Sequence, residues 1–216
     1  MAAERISKKE KTFKYGDNEK VAHIYVTAAK LFYEKGFDAT SVNDVADALS
    51  LTKAGLYHYI TSKQSLLFGI MSWGMDRLEN EVIGPARKVE DAEERLCFII
   101  ENHARIIADG IGAVTILLDE VQGLTLDDYE KIQRRKRDYV NFLRETLETL
   151  KAEGKLHDLD LTTATFSILG MVLWISRWFR HDGEMSWQQV TQQVKGIALR
   201  GILRQKAGAK KAGSRI

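Results

Sequence analysis

Thr40 to Lys63 reads TSVNDVADALSLTKAGLYHYITSK, and two short helix patterns lie so close together in it that only a tight turn can join them. Ser41, with Asp44 three residues on, forms a capping box, and Val42, Val45, Ala46 and Leu49 then make one apolar face about two turns long. Ser50 and Leu51 turn the chain. Thr52 is placed to cap a second helix whose Leu56, Tyr59 and Ile60 face inward while Lys53, Ala54, Tyr57 and His58 face out. A helix-turn-helix needs this arrangement to lay one helix in a DNA major groove. A plain helical hairpin would not need Lys53, Tyr57 and His58 outward, nor Lys63 and the hydroxyls of Thr40, Ser41 and Thr52 at helix starts, where backbone N–H groups favour phosphate.

Before this segment, Val21, Tyr25, Ala28 and Phe32 mark a supporting helix from Asn18, ended by Gly36. Residues 1–17 carry Arg5, Lys8, Lys9, Lys11 and Lys14 with little apolar content. They read as a flexible basic arm, either a solvated tail or a strand along DNA phosphates.

After it, Ser62 caps a longer helix through Leu67, Ile70, Met71, Gly74 and Leu78, which Gly84 and Pro85 should stop near Glu81. Leu96, Ile99, Ile100, His103 and Ile107 give a fifth helix that Gly110 and Gly112 break, and Ala113 to Gln122 a short sixth. The seventh runs from Leu126 to Gly154 on Tyr129, Ile132, Tyr139, Leu143, Thr146 and Leu150, with the basic run Arg134 to Arg137 across its middle. Leu161 to Arg180 is apolar on nearly all sides, so something must cover more than one face. Ser186 and Gln189 cap the last helix, lined by Trp187, Val190, Val194, Ile197 and Gly201, and residues 206–216 form a disordered tail. The fold class is all-α, with nine helices.

The chain has 216 residues, 44% hydrophobic content and a net charge of +2, enough for a sizeable core but with no overall field toward nucleic acid or membrane, so any DNA contact must be local. Cys97, the single cysteine, excludes an internal disulfide and reads as a small buried thiol in a reducing, cytoplasmic setting. No apolar run is long enough for a membrane span, and the polar, lysine-rich first twenty residues lead to the expectation of no secretory signal.

Catalysis finds no support. None of the five histidines follows a Glu by three residues, and there is no HExxH, GxGxxG or GxxxxGK[ST] pattern, so no enzyme, metal site or cofactor is expected. His103 reads as either a hydrogen-bonded core histidine or a ligand contact, and the run Arg134 to Arg137 as either a solvated face or a phosphate site.

The stretch from Thr40 through Leu67 resembles the N-terminal domain of the TetR family of bacterial transcriptional repressors, in the run Leu56-Tyr57-His58-Tyr59-Ile60 followed by Ser62-Lys63. It departs from the family pattern at Ser50, where glycine is usual, at Ile60, where phenylalanine is usual, and at Ala54-Gly55. The resemblance implies a helix-turn-helix head at 18–63 and an effector-binding and dimerisation domain at 64–205. It implies a homodimer paired through 161–180 and 186–203, bound to double-stranded operator DNA by Thr40, Ser41, Thr52, Lys53, Ala54, Gly55, Tyr57, His58 and Lys63. The C-terminal run Leu169-Gly170-Met171, Trp174, Arg177, Trp178, Phe179 is similar to family members that respond to acyl-CoA or other CoA thioesters. The effector expected is therefore small and apolar, with a CoA thioester one candidate, and the residues expected to meet it are Met71, His103, Trp174, Arg177 and Trp178. The function implied is a ligand-responsive repressor. The alternatives are a helical enzyme with an accessory helix-turn-helix and a DNA-binding protein without effector.

Overall fold

The structure is a computed structural model that describes residues 15–108 and 123–204. Among these residues the fold is all-helical, with eight helices in the order α1 (Tyr15–Lys35), α2 (Val42–Ala48), α3 (Lys53–Tyr57), α4 (Lys63–Leu78), α5 (Ala92–Ala108), α6 (Leu126–Ala152), α7 (Leu161–Trp178) and α8 (Trp187–Ile202). The expected sixth helix at Ala113 to Gln122, with Gly110 and Gly112, lies outside the described residues. So do most of the basic arm and the tail at 206–216. α1 begins at Tyr15, three residues before the expected start.

Local chemistry fixes the element ends. Ser41, Ser62 and Ser186 each cap a helix in a reciprocal box with the residue three positions on. α6 ends in a Schellman turn: Lys155 N–H donates to Leu150 O at 2.9 Å, Gly154 N–H donates to Lys151 O at 3.0 Å, and Gly154 sits at φ 70°. α2 ends in the same way, Leu51 N–H to Ala46 O at 2.9 Å and Ser50 N–H to Asp47 O at 3.0 Å, but the left-handed position is Ser50, at φ 54°.

Pro85 does not stop α4. The helix passes without a break into a π turn, Glu79–Ile83, and a further turn, Gly84–Ala86, which takes up Pro85 at its start. Glu81 holds this turn, accepting from Arg77 Nε at 2.8 Å and from Arg105 Nη2 of α5 at 3.1 Å, so that the Arg77 guanidinium above all keeps its carboxyl below the usual range.

One apolar core runs from Ile24, Ala28 and Phe32 of α1 through Leu66, Leu67 and Ile70 of α4 to Leu96, Ile100, Leu143 and Ile168. α5 lies at its centre, packed by α6, α7 and α8. Burial departs from the expected faces at Tyr129, expected inward but exposed near the start of α6, at Ile197, expected to line α8 but exposed, and at Cys97, which is only half-buried. No helix among the described residues is long and apolar enough to cross a membrane.

Contacts distant in sequence tie the first three helices to the rest. Gly69 of α4 lies so close to Tyr25 of α1 that a Cβ there would stand 2.5 Å from the phenol oxygen. Gly123 likewise admits the Phe37 ring, which a Cβ would approach to 2.5 Å. Tyr33 donates from its hydroxyl to Ser176 O of α7 at 3.4 Å. Arg135 of α6 reaches α4 twice, donating to Ser72 O at 3.2 Å and to Asp76 Oδ1 at 2.7 Å.

Candidate functional site

The α2–α3 unit presents one open face. Thr52 Oγ1 accepts from Gly55 N at 3.0 Å and starts α3, and Leu56 and Ile60 sink into the core. That anchoring leaves Lys53, Ala54, Tyr57 and His58 exposed together on the outward side, with Tyr57 at 41%. The side-chain classes are those of a DNA-reading helix: a cation, a phenol and an imidazole on a rigid backbone. Gly55 is half-buried beneath them, where a Cβ would press on the capping Thr52 Oγ1 at 3.2 Å.

The remaining expected contacts divide. Thr40 is a correction: it is fully buried, its hydroxyl donates to Gly36 O at 2.8 Å and its N–H to Phe37 O at 3.2 Å, so neither donor can meet a phosphate. It closes the end of α1 instead. Ser41 is exposed, but its N–H and hydroxyl both donate to Asp44 Oδ2, at 2.7 and 2.5 Å, and the hydroxyl bond is the leading reason that carboxyl stays below its ordinary range. Lys63 is partly exposed, with its ammonium 4.2 Å above the Phe37 ring and donating to Asp38 O at 3.2 Å.

A second feature lies about the middle of the molecule. A cavity of about 510 Å³ opens between α4 (Met75, Leu78), α5 (His103), α6 (Gln133, Lys136, Arg137, Tyr139, Val140, Asn141) and α7 (Phe166, Leu169, Gly170, Leu173). Its wall is mostly apolar with a few convergent polar groups, the usual make-up of a small-molecule pocket. His103 and Tyr139 form its buried polar pair, Tyr139 Oη and His103 Nδ1 being 2.8 Å apart. Burial pushes the imidazole pKa down to about 4 and the phenol's up, so both are neutral near pH 7.

Of the five residues expected at the effector, His103 alone lines this cavity. Met71 is fully buried in the core. Trp174 and Trp178 stand exposed on α7, Trp174 at 65%, and Arg177 lies 6.0 Å over the Tyr33 ring. The helical period places Trp174 and Trp178 one turn apart, and Phe166 and Gly170 continue the same stripe on the side of α7 that this single chain leaves uncovered. Tyr139 was legible only as a core position, since a separation of 36 positions from His103 carries no spacing signal.

Two family models match the chain: "Bacterial regulatory proteins, tetR family" over residues 24–70 and "Tetracyclin repressor-like, C-terminal domain" over residues 89–202. The chain belongs to the TetR family. This TetR-family chain is 30% identical to the HTH-type transcriptional repressor KstR2 of Mycobacterium tuberculosis over 201 residues, 87% of the chain and 95% of the relative. The solved structure of that ketosteroid regulator superposes with a TM-score of 0.80 over 87% of the chain and 97% of its own, at 27% identity. A structure of AibR in complex with isovaleryl coenzyme A and operator DNA is 36% identical, with a TM-score of 0.76 over 82% of the chain and 97% of its own. The expected TetR-like architecture of an N-terminal helix-turn-helix and a C-terminal helical domain is the one observed.

Proposed function

We propose that the protein is a homodimeric repressor of the cytoplasm, not an enzyme, that leaves its operator when a small apolar effector occupies the α4–α7 cavity. Residues up to about Lys63 are the reading head, and residues 64–205 are the effector and dimer domain. The observation that carries the reading is the joint outward exposure of Lys53, Tyr57 and His58 on a capped helix whose other side is locked into the core. Regulators 30–36% identical along most of the chain support it.

Two copies meet through α7 and α8. Phe166, Trp174, Trp178 and Ile197 are exposed large apolar side chains, Ile197 at 63%, and Gly170 and Gly201 have open space where a Cβ would stand. Apolar aromatic area bounded by small residues suits a two-fold interface. A CoA thioester is the effector class best supported, because AibR is seen with isovaleryl coenzyme A and because the apolar cavity carries Lys136 and Arg137 in its lining.

The test is binding to an operator recovered by selection from random duplexes, followed by anisotropy. Tyr57→Ala should weaken binding at least about tenfold, the loss of one good base-edge contact. Unchanged affinity in Tyr57→Ala, Lys53→Ala and the double variant together would remove α3 as the reading helix.

A further inference from the structure

His103, in the cavity wall, carries a buried polar atom that finds no partner among the described residues. Its Nε2 is buried and makes no hydrogen bond to any described residue, while its other nitrogen is engaged by Tyr139. A buried polar atom without a partner costs about 1–3 kcal/mol, so such an atom in a lined cavity marks where a ligand atom belongs. The tautomer follows from counting partners. If Nδ1–H donated to the phenol oxygen, the phenol proton and the Nε2 lone pair would both be stranded. If the Tyr139 O–H donates to Nδ1, only Nε2–H is left over. A cavity-lining residue, His103, therefore carries an unused N–H donor, held in its tautomer by Tyr139.

The surroundings decide what that donor takes. Met75, Leu78 and Leu169 supply apolar wall, and the cations Lys136 and Arg137 sit on α6, Arg137 exposed. A carboxylate brought to the neutral imidazole would lose its hydration for a single hydrogen bond, whereas a neutral carbonyl oxygen is satisfied by one. We propose that His103 Nε2–H donates to a neutral carbonyl oxygen of the effector, so that the cavity selects apolar esters, thioesters, ketones or amides over free acids and hydrocarbons. This rests on the reading of the cavity as the effector site, and it makes His103 a specificity-determining residue and Tyr139 the residue that positions it.

The test uses the full-length protein with 2-octanone, n-heptane and octanoate as probes, read by displacement of a fluorescent apolar dye, and in parallel octanoyl coenzyme A and its thioether analogue octyl coenzyme A. Wild-type protein should prefer 2-octanone to both heptane and octanoate. His103→Phe should lose about tenfold of its 2-octanone affinity and none for heptane, the worth of one hydrogen bond to a buried donor. His103→Gln, which keeps a donor and guards against a folding defect, should retain most of it. Equal changes for ketone and alkane, preference for octanoate, or no ketone binding would overturn the proposal. Failure of octanoyl coenzyme A to bind while the ketone behaves as stated would remove the CoA reading and leave the donor assignment standing. Equal binding of thioester and thioether would overturn the assignment while leaving the CoA reading intact.

Discussion

Replacing Gly69 by alanine sets two known effects against each other. In a helix interior the change favours the fold by about 1 kcal/mol through backbone entropy. Here the new carbon would lie 2.5 Å from the Tyr25 hydroxyl oxygen, 2.7 Å from Cζ and 2.9 Å from Cε1. Carbon atoms rest at about 3.5–4.0 Å, so the ring must retreat by about 1 Å. Tyr25 packs against the core, so its ring yields only by disturbing that packing. Overpacking of this kind costs about 1–3 kcal/mol. The expected net effect of Gly69→Ala is therefore a loss of about 1 kcal/mol, and in a Tyr25→Ala background, where the obstacle is gone, a gain of about 1 kcal/mol. The two sites should be coupled by about 2 kcal/mol in a double-mutant cycle. Urea unfolding of the four proteins measures this directly. A Gly69→Ala protein stabilised equally in both backgrounds would show that α1 and α4 are not in the close contact described.

Three other expectations follow from single residues. Ser50→Gly should stabilise the fold by about 0.5–1 kcal/mol, since a non-glycine residue at left-handed φ carries a penalty that glycine avoids, and a drop in the urea midpoint would contradict the Schellman assignment. His103 is held below its ordinary pKa of 6.5, to about 4, so the unfolded chain binds more protons between these values. Stability should be full above pH 6.5 and decline by up to about 3 kcal/mol as pH falls toward 4, a slope that His103→Gln should abolish in urea titrations at several pH values. Trp174→Glu places a charge on the exposed α7 stripe and should give a monomer by sedimentation while leaving the helical content unchanged; a dimer of undiminished affinity would place the interface elsewhere.

The helix-turn-helix was readable residue by residue because its determinants are local. The Ser41–Asp44 box and the Thr52 cap each lie within four residues of what they act upon, and the inward Leu56 and Ile60 follow from helical spacing. Thr40 shows the limit of that reading. A threonine before a helix start is equally suited to a phosphate and to the preceding helix's carbonyl, and only the return of Gly36 beneath it decides for the carbonyl. Pro85 is similar, because the sequence rule for a helix stop does not distinguish a proline inside a helix from one in the first turn after a π turn. The cavity was beyond local signals. Its polar pair joins α5 to α6, and Trp174 and Trp178, which share the aromatic composition of a ligand wall, point away because the period of α7 assigns its buried side to Ile168, Val172 and Ile175.

The π turn of Glu79–Ile83 also has a consequence for phase. A π turn carries one residue more than the α-helical turn it replaces, so deleting a residue there would restore regular α-helical hydrogen bonding with little local cost. The repair would nevertheless rotate everything upstream by about 100° and draw it in by about 1.5 Å relative to Gly84–Ala86. In a two-fold dimer both heads would turn at once, and α3 would meet the half-sites out of step with the DNA repeat. On the proposed dimer the extra residue is a spacer, setting the angular offset between the pairing face and the reading head.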